Sequence, residues 1–88
     1  MKTEFRSSFA KDVGLIKSKS LRHRIEELIE LVEQAPNLAA VPNLKKLRYS
    51  GDYYRVRLGE YRVGLILEGG VLTFVRCLHR KDIYRYFP

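Results

Sequence analysis

Three arginines in the second half of the chain, Arg55, Arg57 and Arg62, are spaced so that one surface could hold all of them. A two-residue turn at Gly59-Glu60 would make Arg57 face Arg62 across two antiparallel strands, with Arg55 on the same face. Like charges opposite one another destabilise a sheet, and Gly64, opposite Arg55, brings no carboxylate to neutralise it. Because guanidinium groups donate paired hydrogen bonds to phosphate and stay charged, the cluster favours a phosphate-bearing partner such as an RNA backbone.

Two simpler interpretations of these arginines remain open, since their side chains could be solvated or could pair with Glu60 and Glu68. If the last strand follows a tight hairpin, Val75 and Cys77 are predicted to lie on the face of the arginines. Cys77 is expected to pack rather than to react. Arg76 is predicted on the opposite, helix-facing side of the sheet, where it would pair with a helix carboxylate at the rim.

The residues after the last predicted strand add further groups to this cluster. Histidine exchanges protons near neutral pH, so His79 could accept a proton, although a lone histidine can equally be structural. Arg80 would extend the basic surface. Tyr84 lies in an amphipathic tail where Ile83 and Phe87 could pack one helical turn apart, which leaves Tyr84 at the end of the sheet.

The charge of the chain is concentrated where these side chains lie. The 88 residues hold 17 Lys and Arg against 10 Asp and Glu, a net charge of +7, and residues 45–88 alone hold ten against four. An apolar fraction of 45% predicts a folded chain, and the length predicts a single domain over residues 1–88. With one cysteine, two distant histidines and no apolar run near ~20 residues, we expect a cytoplasmic protein without disulfide, metal site or membrane contact.

The apolar periodicity changes from helical to alternating near residue 44. A first helix is predicted after an N-cap at Ser7 or Ser8, and a second, clearly amphipathic helix from a cap at Ser20 to Pro36. Strands are predicted over residues 1–5, 44–49, 53–58, 61–68 and 71–78.

These elements predict an α+β fold of two layers, in which an N-terminal strand and a helical hairpin pack on an antiparallel β-meander of three to four strands. Alternation along the strands places one set of apolar residues toward the helices: Val56, Leu58, Tyr61, Val63, Leu65 and Leu67. The opposite face, which carries the arginines, is predicted to be free to meet another molecule.

Three stretches of the chain resemble a known family: Lys-Lys-Leu-Arg at 45–48, Tyr-Tyr-Arg-Val-Arg-Leu-Gly-Glu-Tyr-Arg-Val at 53–63 and Leu-His-Arg-Lys-Asp-Ile-Tyr at 78–84. They are similar to the RelE/ParE superfamily of bacterial and archaeal toxins from toxin-antitoxin systems, and the resemblance implies a RelE-like fold. The RelE-like members are ribosome-dependent messenger RNA (mRNA) endonucleases, which an antitoxin encoded beside them holds inactive. In them the substrate 2′-hydroxyl attacks the adjacent phosphate, so no metal is required.

The resemblance also implies roles for individual residues. Arg55 and Arg57 match basic residues implicated in proton abstraction and phosphate contact, and Arg62 matches an arginine that stabilises the pentavalent phosphate. Arg80 matches an arginine near the leaving group, and Tyr84 a tyrosine that positions the RNA.

The candidate residues therefore fall into two groups. The candidate catalytic residues are Arg57, Arg62, His79, Arg80 and Tyr84, and the candidate RNA-binding residues are Lys45, Lys46, Arg48, Arg55 and Lys81. Relatives often carry lysine where Arg55 and Arg57 stand, and arginine stays protonated in proteins. Either His79 takes the proton or the arginines mainly stabilise charge.

The predicted function is that of a type II toxin, an mRNA endoribonuclease without cofactor whose partners are a cognate antitoxin and the ribosome with its mRNA. Two alternatives stay open. A non-catalytic DNA gyrase inhibitor of the ParE type is one, although that branch generally lacks the Arg80 and Tyr84 pair, and a degenerate, nontoxic member is the other. An antitoxin helix could dock on apolar residues that lie beside the apolar stripes of the predicted helices: Leu15, Leu31 and Leu38.

Overall fold

The computed structural model describes residues 1–48 and 51–88. Its elements, in chain order, are β1 (Lys2–Phe5), α1 (Ser7–Gly14), α2 (Lys19–Gln34), β2 (Leu44–Lys46), β3 (Tyr53–Leu58), β4 (Tyr61–Glu68), β5 (Val71–His79) and α3 (Ile83–Tyr86). The strands predicted over 53–58 and 61–68 are confirmed to the residue. The strand predicted over 44–49 is shorter, since β2 ends at Lys46, and residue 49 lies outside the described residues.

The strands β2 to β5 form the predicted antiparallel meander, and β1 lies parallel to β5 at the edge. Within the described residues this makes a mixed sheet of five strands in the order β1-β5-β4-β3-β2. The β3–β4 hairpin turns at Gly59, which has φ +57°, and the next hairpin at Gly69-Gly70, with φ +56° and +78°. Glycine suits these positions because it adopts positive φ without steric cost.

The helices α1 and α2 cover one face of the sheet, which we call the helical face; the other, with Arg55, Arg57 and Arg62, is the arginine face. The main core lies under the helices and combines one stripe of α2 with the inward side chains of three strands: Ile25, Leu28, Val32, Val56, Leu58, Val63, Leu65, Leu72 and Phe74. The predicted two-layer α+β fold is therefore confirmed, and so is the prediction of which side chains of β3 and β4 face the helices.

The predicted N-caps of both helices are wrong. α1 has no side-chain cap, and the hydroxyl of Ser8 instead donates to the carbonyl oxygen of Val75 at 2.6 Å. In α2 the cap is Ser18 rather than Ser20, since its Oγ accepts a hydrogen bond from the backbone N–H of Leu21 at 3.2 Å. No helix in the described part of the chain is long and apolar enough to cross a membrane.

A β-bulge in β5 reverses two predicted orientations. The pairing of β4 with β5 shifts between Gly64 and Leu65, so that Gly64 pairs with Arg76 and Val75 is an extra residue. One extra residue moves every later side chain to the other face. Arg76 therefore lies on the arginine face and Cys77 in the main core on the helical face, contrary to prediction, while Val75 stays on the arginine face as expected.

The C-terminal segment covers part of the arginine face. Ile83 and Phe87 pack one helical turn apart, as predicted, and form a second buried cluster with Leu47 and Val75. The prediction of a free face is wrong for its centre, because α3 and Phe87 lie over β4 and β5. The arginines are left along β3 and at the end of the β3–β4 hairpin.

Replacing Gly64 by alanine should destabilise the protein by about 1–3 kcal/mol. A Cβ at this position would lie 2.7 Å from the ring of Phe87, which is only 2% exposed, so the ring must leave its place on the sheet. Urea unfolding followed by circular dichroism measures the loss. Gly14→Ala is the control, because nothing lies within 4 Å of a Cβ there and alanine favours a helix. Equal stability of wild type and Gly64→Ala would contradict this packing.

Candidate functional site

The arginine cluster has the predicted register. Arg57 pairs with Arg62 across the hairpin, and Arg55 pairs with Gly64. Lys45 of β2 pairs with Arg55 from the other side, which adds a fourth basic residue to this cluster. Side chains at paired positions of antiparallel strands start about 5 Å apart, so the four groups can contact one ligand.

Backbone and amide oxygens hold the three guanidiniums in place. Arg55 Nη1 donates to the carbonyl oxygen of Asn43 at 2.8 Å, and Arg57 Nη2 makes a long contact with Asn43 Oδ1 at 3.5 Å. Arg62 Nη1 donates to the carbonyl oxygens of Gly59 at 2.7 Å and Tyr61 at 2.9 Å. These contacts orient the guanidiniums without cancelling their charge.

Carboxylates do not neutralise the cluster. Among the residues that the structure describes, Glu60 pairs with Arg80 at 3.0 Å and Glu68 with Arg6 at 3.7 Å. The interpretation that Glu60 and Glu68 neutralise the three arginines is therefore wrong. Arg55 Nε is also buried without a hydrogen-bond partner among the described residues, a cost that a structural arginine would not usually carry.

The end of the β3–β4 hairpin brings a second group of charged side chains together. Glu60 Oε2 lies 3.0 Å from Arg80 Nε and 3.9 Å from His79 Nε2, and the backbone N–H of Arg80 donates to the carbonyl oxygen of Glu60 at 2.7 Å. Arg24 of α2 reaches the same turn, since its Nη1 would lie 3.1 Å from a Cβ placed on Gly59. The turn thus carries one carboxylate between basic groups from several elements.

His79 lies on the helical face rather than with the arginines. It pairs with Tyr61, and the two rings meet edge to face at 5.7 Å. Its Nδ1 accepts a hydrogen bond from the backbone N–H of Lys81 at 3.2 Å. A neutral imidazole whose Nδ1 accepts must carry its proton on Nε2, and that nitrogen faces Glu60.

The remaining candidate residues have exposed side chains. Tyr84 of α3 is 51% exposed, and Arg48 and Lys81 are exposed. Lys46 pairs with Tyr54 in the sheet and forms an ion pair with Asp52 at 3.2 Å, which turns it away from the arginine face. Of the predicted RNA-binding residues, Lys45 and Arg55 therefore share the face of Arg57 and Arg62.

A buried ion pair links α1 to β5, and the sequence predicted only part of it. Asp12, 8% exposed, accepts hydrogen bonds from Arg76 Nε at 2.7 Å, from Arg76 Nη2 at 3.1 Å and from the backbone N–H of Cys77 at 3.0 Å. The predicted pair between Arg76 and a helix carboxylate is thus confirmed. Its side-chain hydrogen bond to Asp12 raises the pKa of Arg76, and the guanidinium lies 5.7 Å from the ring centre of Tyr86.

Cys77 adds no chemistry to the site. Burial, and then the charge of Asp12, raise the pKa of the Cys77 thiol to about 12, so it packs as an uncharged side chain. Within residues 1–48 and 51–88, no three His, Cys, Asp or Glu side chains lie together as a metal site.

Known proteins are similar to this chain in both sequence and fold. A family profile described as the ParE toxin of type II toxin-antitoxin system, parDE, matches residues 4–84. Toxin RelE3 of Methanocaldococcus jannaschii is 38% identical to this chain over 89 residues, which cover 100% of both proteins.

Two solved structures have a similar fold. A RelB-RelE antitoxin-toxin complex from Methanococcus jannaschii contains a chain with 36% identity and a TM-score of 0.82, covering 97% of this chain and 99% of its own. A chain of the archaeal RelE-RelB complex from Pyrococcus horikoshii OT3 has 24% identity, a TM-score of 0.71 and coverage of 90% and 93%, a likeness of fold alone. With the profile over nearly its whole length and a relative of this identity, the chain belongs to the ParE toxin family of type II toxin-antitoxin systems, within the RelE/ParE superfamily.

Proposed function

We propose that this toxin is a ribosome-dependent mRNA endoribonuclease that requires no metal and inhibits translation. The observation that supports the proposal best is the arginine face itself, where three arginines share one face of the sheet and none is paired with a carboxylate of the described residues. Such a surface costs stability unless an anion binds to it, and an RNA phosphate has the charge and the geometry that guanidiniums bind.

The proposed reaction breaks one phosphodiester bond by internal attack. The 2′-oxygen of the substrate forms a bond to phosphorus and loses its proton, the bond to the 5′-oxygen breaks, and that oxygen takes up a proton from water. Arg62, held at the turn, would stabilise the charge on the pentavalent phosphate, while Arg57, Arg55 and Lys45 hold the backbone. Arg80 would lie near the leaving group, and the exposed Tyr84 would stack on a base.

A cognate antitoxin is the second proposed partner. Two of the similar structures are RelB-RelE complexes, and this chain has exposed apolar side chains where a partner helix could pack. Leu15 is 80% exposed and Leu31 38% exposed, the latter lining a groove of about 180 Å³ between α2 and β3. The predicted docking residues are thus accessible, except that Leu38 is half-buried.

Gyrase inhibition is the alternative, because the matching profile is described as a ParE toxin. It would need no cleavage chemistry, so the arginine face would serve only to bind. A degenerate member that binds its antitoxin without toxicity would leave both targets unaffected.

Incubating the purified toxin with ribosomes programmed with a defined mRNA tests the proposal. We expect cleavage in the ribosomal decoding site, an intact mRNA without ribosomes, and a 2′,3′-cyclic phosphate at the new end. An mRNA with a 2′-deoxynucleotide at the cleavage position should resist, since it lacks the nucleophile. Intact mRNA together with inhibited DNA supercoiling would favour the gyrase alternative, and no effect in either assay would indicate a degenerate member.

A further inference from the structure

The three guanidiniums of the arginine face provide no acceptor for the proton of the 2′-hydroxyl. Because arginine side chains are not deprotonated in proteins, Arg55, Arg57 and Arg62 can bind charge but cannot accept a proton. A side chain with a free lone pair must therefore come from a neighbouring position.

His79 is poorly arranged for that task. Its Nδ1 already accepts the hydrogen bond from Lys81 N–H, and its Nε2 carries the proton of the neutral ring. To accept a proton, His79 would first have to break its contact with Lys81.

Glu60 has what His79 lacks. Its side chain is 66% exposed, and Oε2 lies 3.0 Å from Arg80 Nε and 3.9 Å from His79 Nε2. At this exposure the carboxylate is accessible to another molecule. Glu60 also stands between Gly59 and Tyr61, the two residues whose carbonyl oxygens hold Arg62 Nη1.

The surroundings keep this carboxylate in place. Arg80 binds it from the end of β5, His79 faces it with an N–H group, Arg62 is anchored on either side of it, and Arg24 of α2 lies against Gly59. These groups come from β4, from the end of β5 and from α2.

We propose that Glu60 is a catalytic residue of this toxin, the general base that removes the proton from the attacking 2′-hydroxyl. The inference rests on the proposed endoribonuclease function. In the step, the proton passes from the 2′-oxygen to Glu60 Oε1 as that oxygen bonds to phosphorus, and the 5′-oxygen leaves with a proton from water. Arg80 then remains bound to Oε2 and orients the carboxylate.

The test compares Glu60→Gln with Glu68→Gln in single-turnover cleavage of ribosome-bound mRNA. Glu68 is the matched control, because it is 65% exposed and paired with Arg6 as Glu60 is with Arg80. Glu60→Gln should lower the cleavage rate about 100-fold and leave ribosome binding unchanged, while Glu68→Gln should cleave like wild type. Thermal unfolding of both variants confirms that they are folded.

A pH series separates a base from a residue that only orients Arg80. Glutamine keeps an oxygen for Arg80, so a purely orienting Glu60 would tolerate the change. Without the base, hydroxide must take the proton, and the Glu60→Gln rate should rise about tenfold per pH unit where the wild-type rate levels off. Glu60→Gln should also lower the cleavage rate of an Arg80→Ala variant, compared with Arg80→Ala alone.

Three outcomes would overturn the inference. Wild-type rates for Glu60→Gln at every pH would exclude Glu60 as the base but leave the endoribonuclease function intact. If His79→Gln lowered the cleavage rate and Glu60→Gln did not, His79 would be the group that accepts the proton. A wild-type toxin that fails to cut any ribosome-bound mRNA would reject the proposed function and Glu60's role together.

Discussion

Replacing Arg62 by alanine should lower the rate of mRNA cleavage about 1,000-fold and leave ribosome binding nearly unchanged. Arg62 is the arginine that the hairpin turn holds most firmly, through two hydrogen bonds from Nη1 of 2.7 and 2.9 Å. A guanidinium fixed in this way does not have to reorganise when negative charge develops on the phosphate, which makes it most effective in the transition state. Single-turnover cleavage and ribosome pelleting measure the two quantities separately.

Arg85→Ala is the matched control for Arg62→Ala, since Arg85 is an exposed arginine of α3 outside the cluster. It should cleave at the wild-type rate. Arg62→Lys should fall between wild type and alanine, because lysine keeps the charge but not the planar fork. If Arg62→Ala cleaves as fast as wild type, the arginine face is not the reacting site. If Arg62→Ala loses ribosome binding by the same factor as it loses cleavage rate, Arg62 acts in binding rather than in the chemical step.

Replacing Asp12 by alanine should lower the free energy of unfolding by about 3–5 kcal/mol. Asp12 is the buried acceptor of three hydrogen bonds, and its loss leaves the Arg76 guanidinium and the N–H of Cys77 without their partner. A small domain has a total stability of only about 5–15 kcal/mol, so this loss is a large fraction of the total. Urea titration followed by circular dichroism measures the change.

Lys11→Ala is the control for this prediction, because Lys11 precedes Asp12 on α1 and is exposed; it should change the stability by less than about 0.5 kcal/mol. The double variant Asp12→Leu with Arg76→Met should recover much of the loss, since most of the cost is that of one buried charge without its partner. A loss below about 1 kcal/mol for Asp12→Ala would mean that water reaches Arg76 and replaces the carboxylate.

The two hairpins are local features, and the sequence predicted them well. Glycine at the turns and alternation along β3 and β4 specify both strand ends and register, so the pairing of Arg57 with Arg62 followed from spacing alone. The spacing of these basic residues is therefore enough to predict that they share one face of the sheet. The family resemblance then added roles for individual residues, which the spacing alone does not indicate.

The bulge in β5 was not predictable, because its support comes from residues far along the chain. Ser8 binds the carbonyl oxygen of the extra residue, Val75, and Asp12 binds the next two residues, Arg76 and Cys77. In the sequence, Asp12 looks like an ordinary polar residue of a surface helix. Only the packing of α1 on β5 turns it into a buried acceptor and moves Cys77 to the helical face.

The sequence by itself determined the fold class, the hairpin register and the set of basic side chains on one face, because these depend on periodicity and on turns of two residues. The tertiary structure decided which of them can act together. It placed α3 and Phe87 over the centre of the arginine face, His79 on the other side of the sheet and Glu60 beside Arg80 at the turn. The physical reason is that burial and hydrogen bonding between distant segments choose among orientations that local propensity leaves equal.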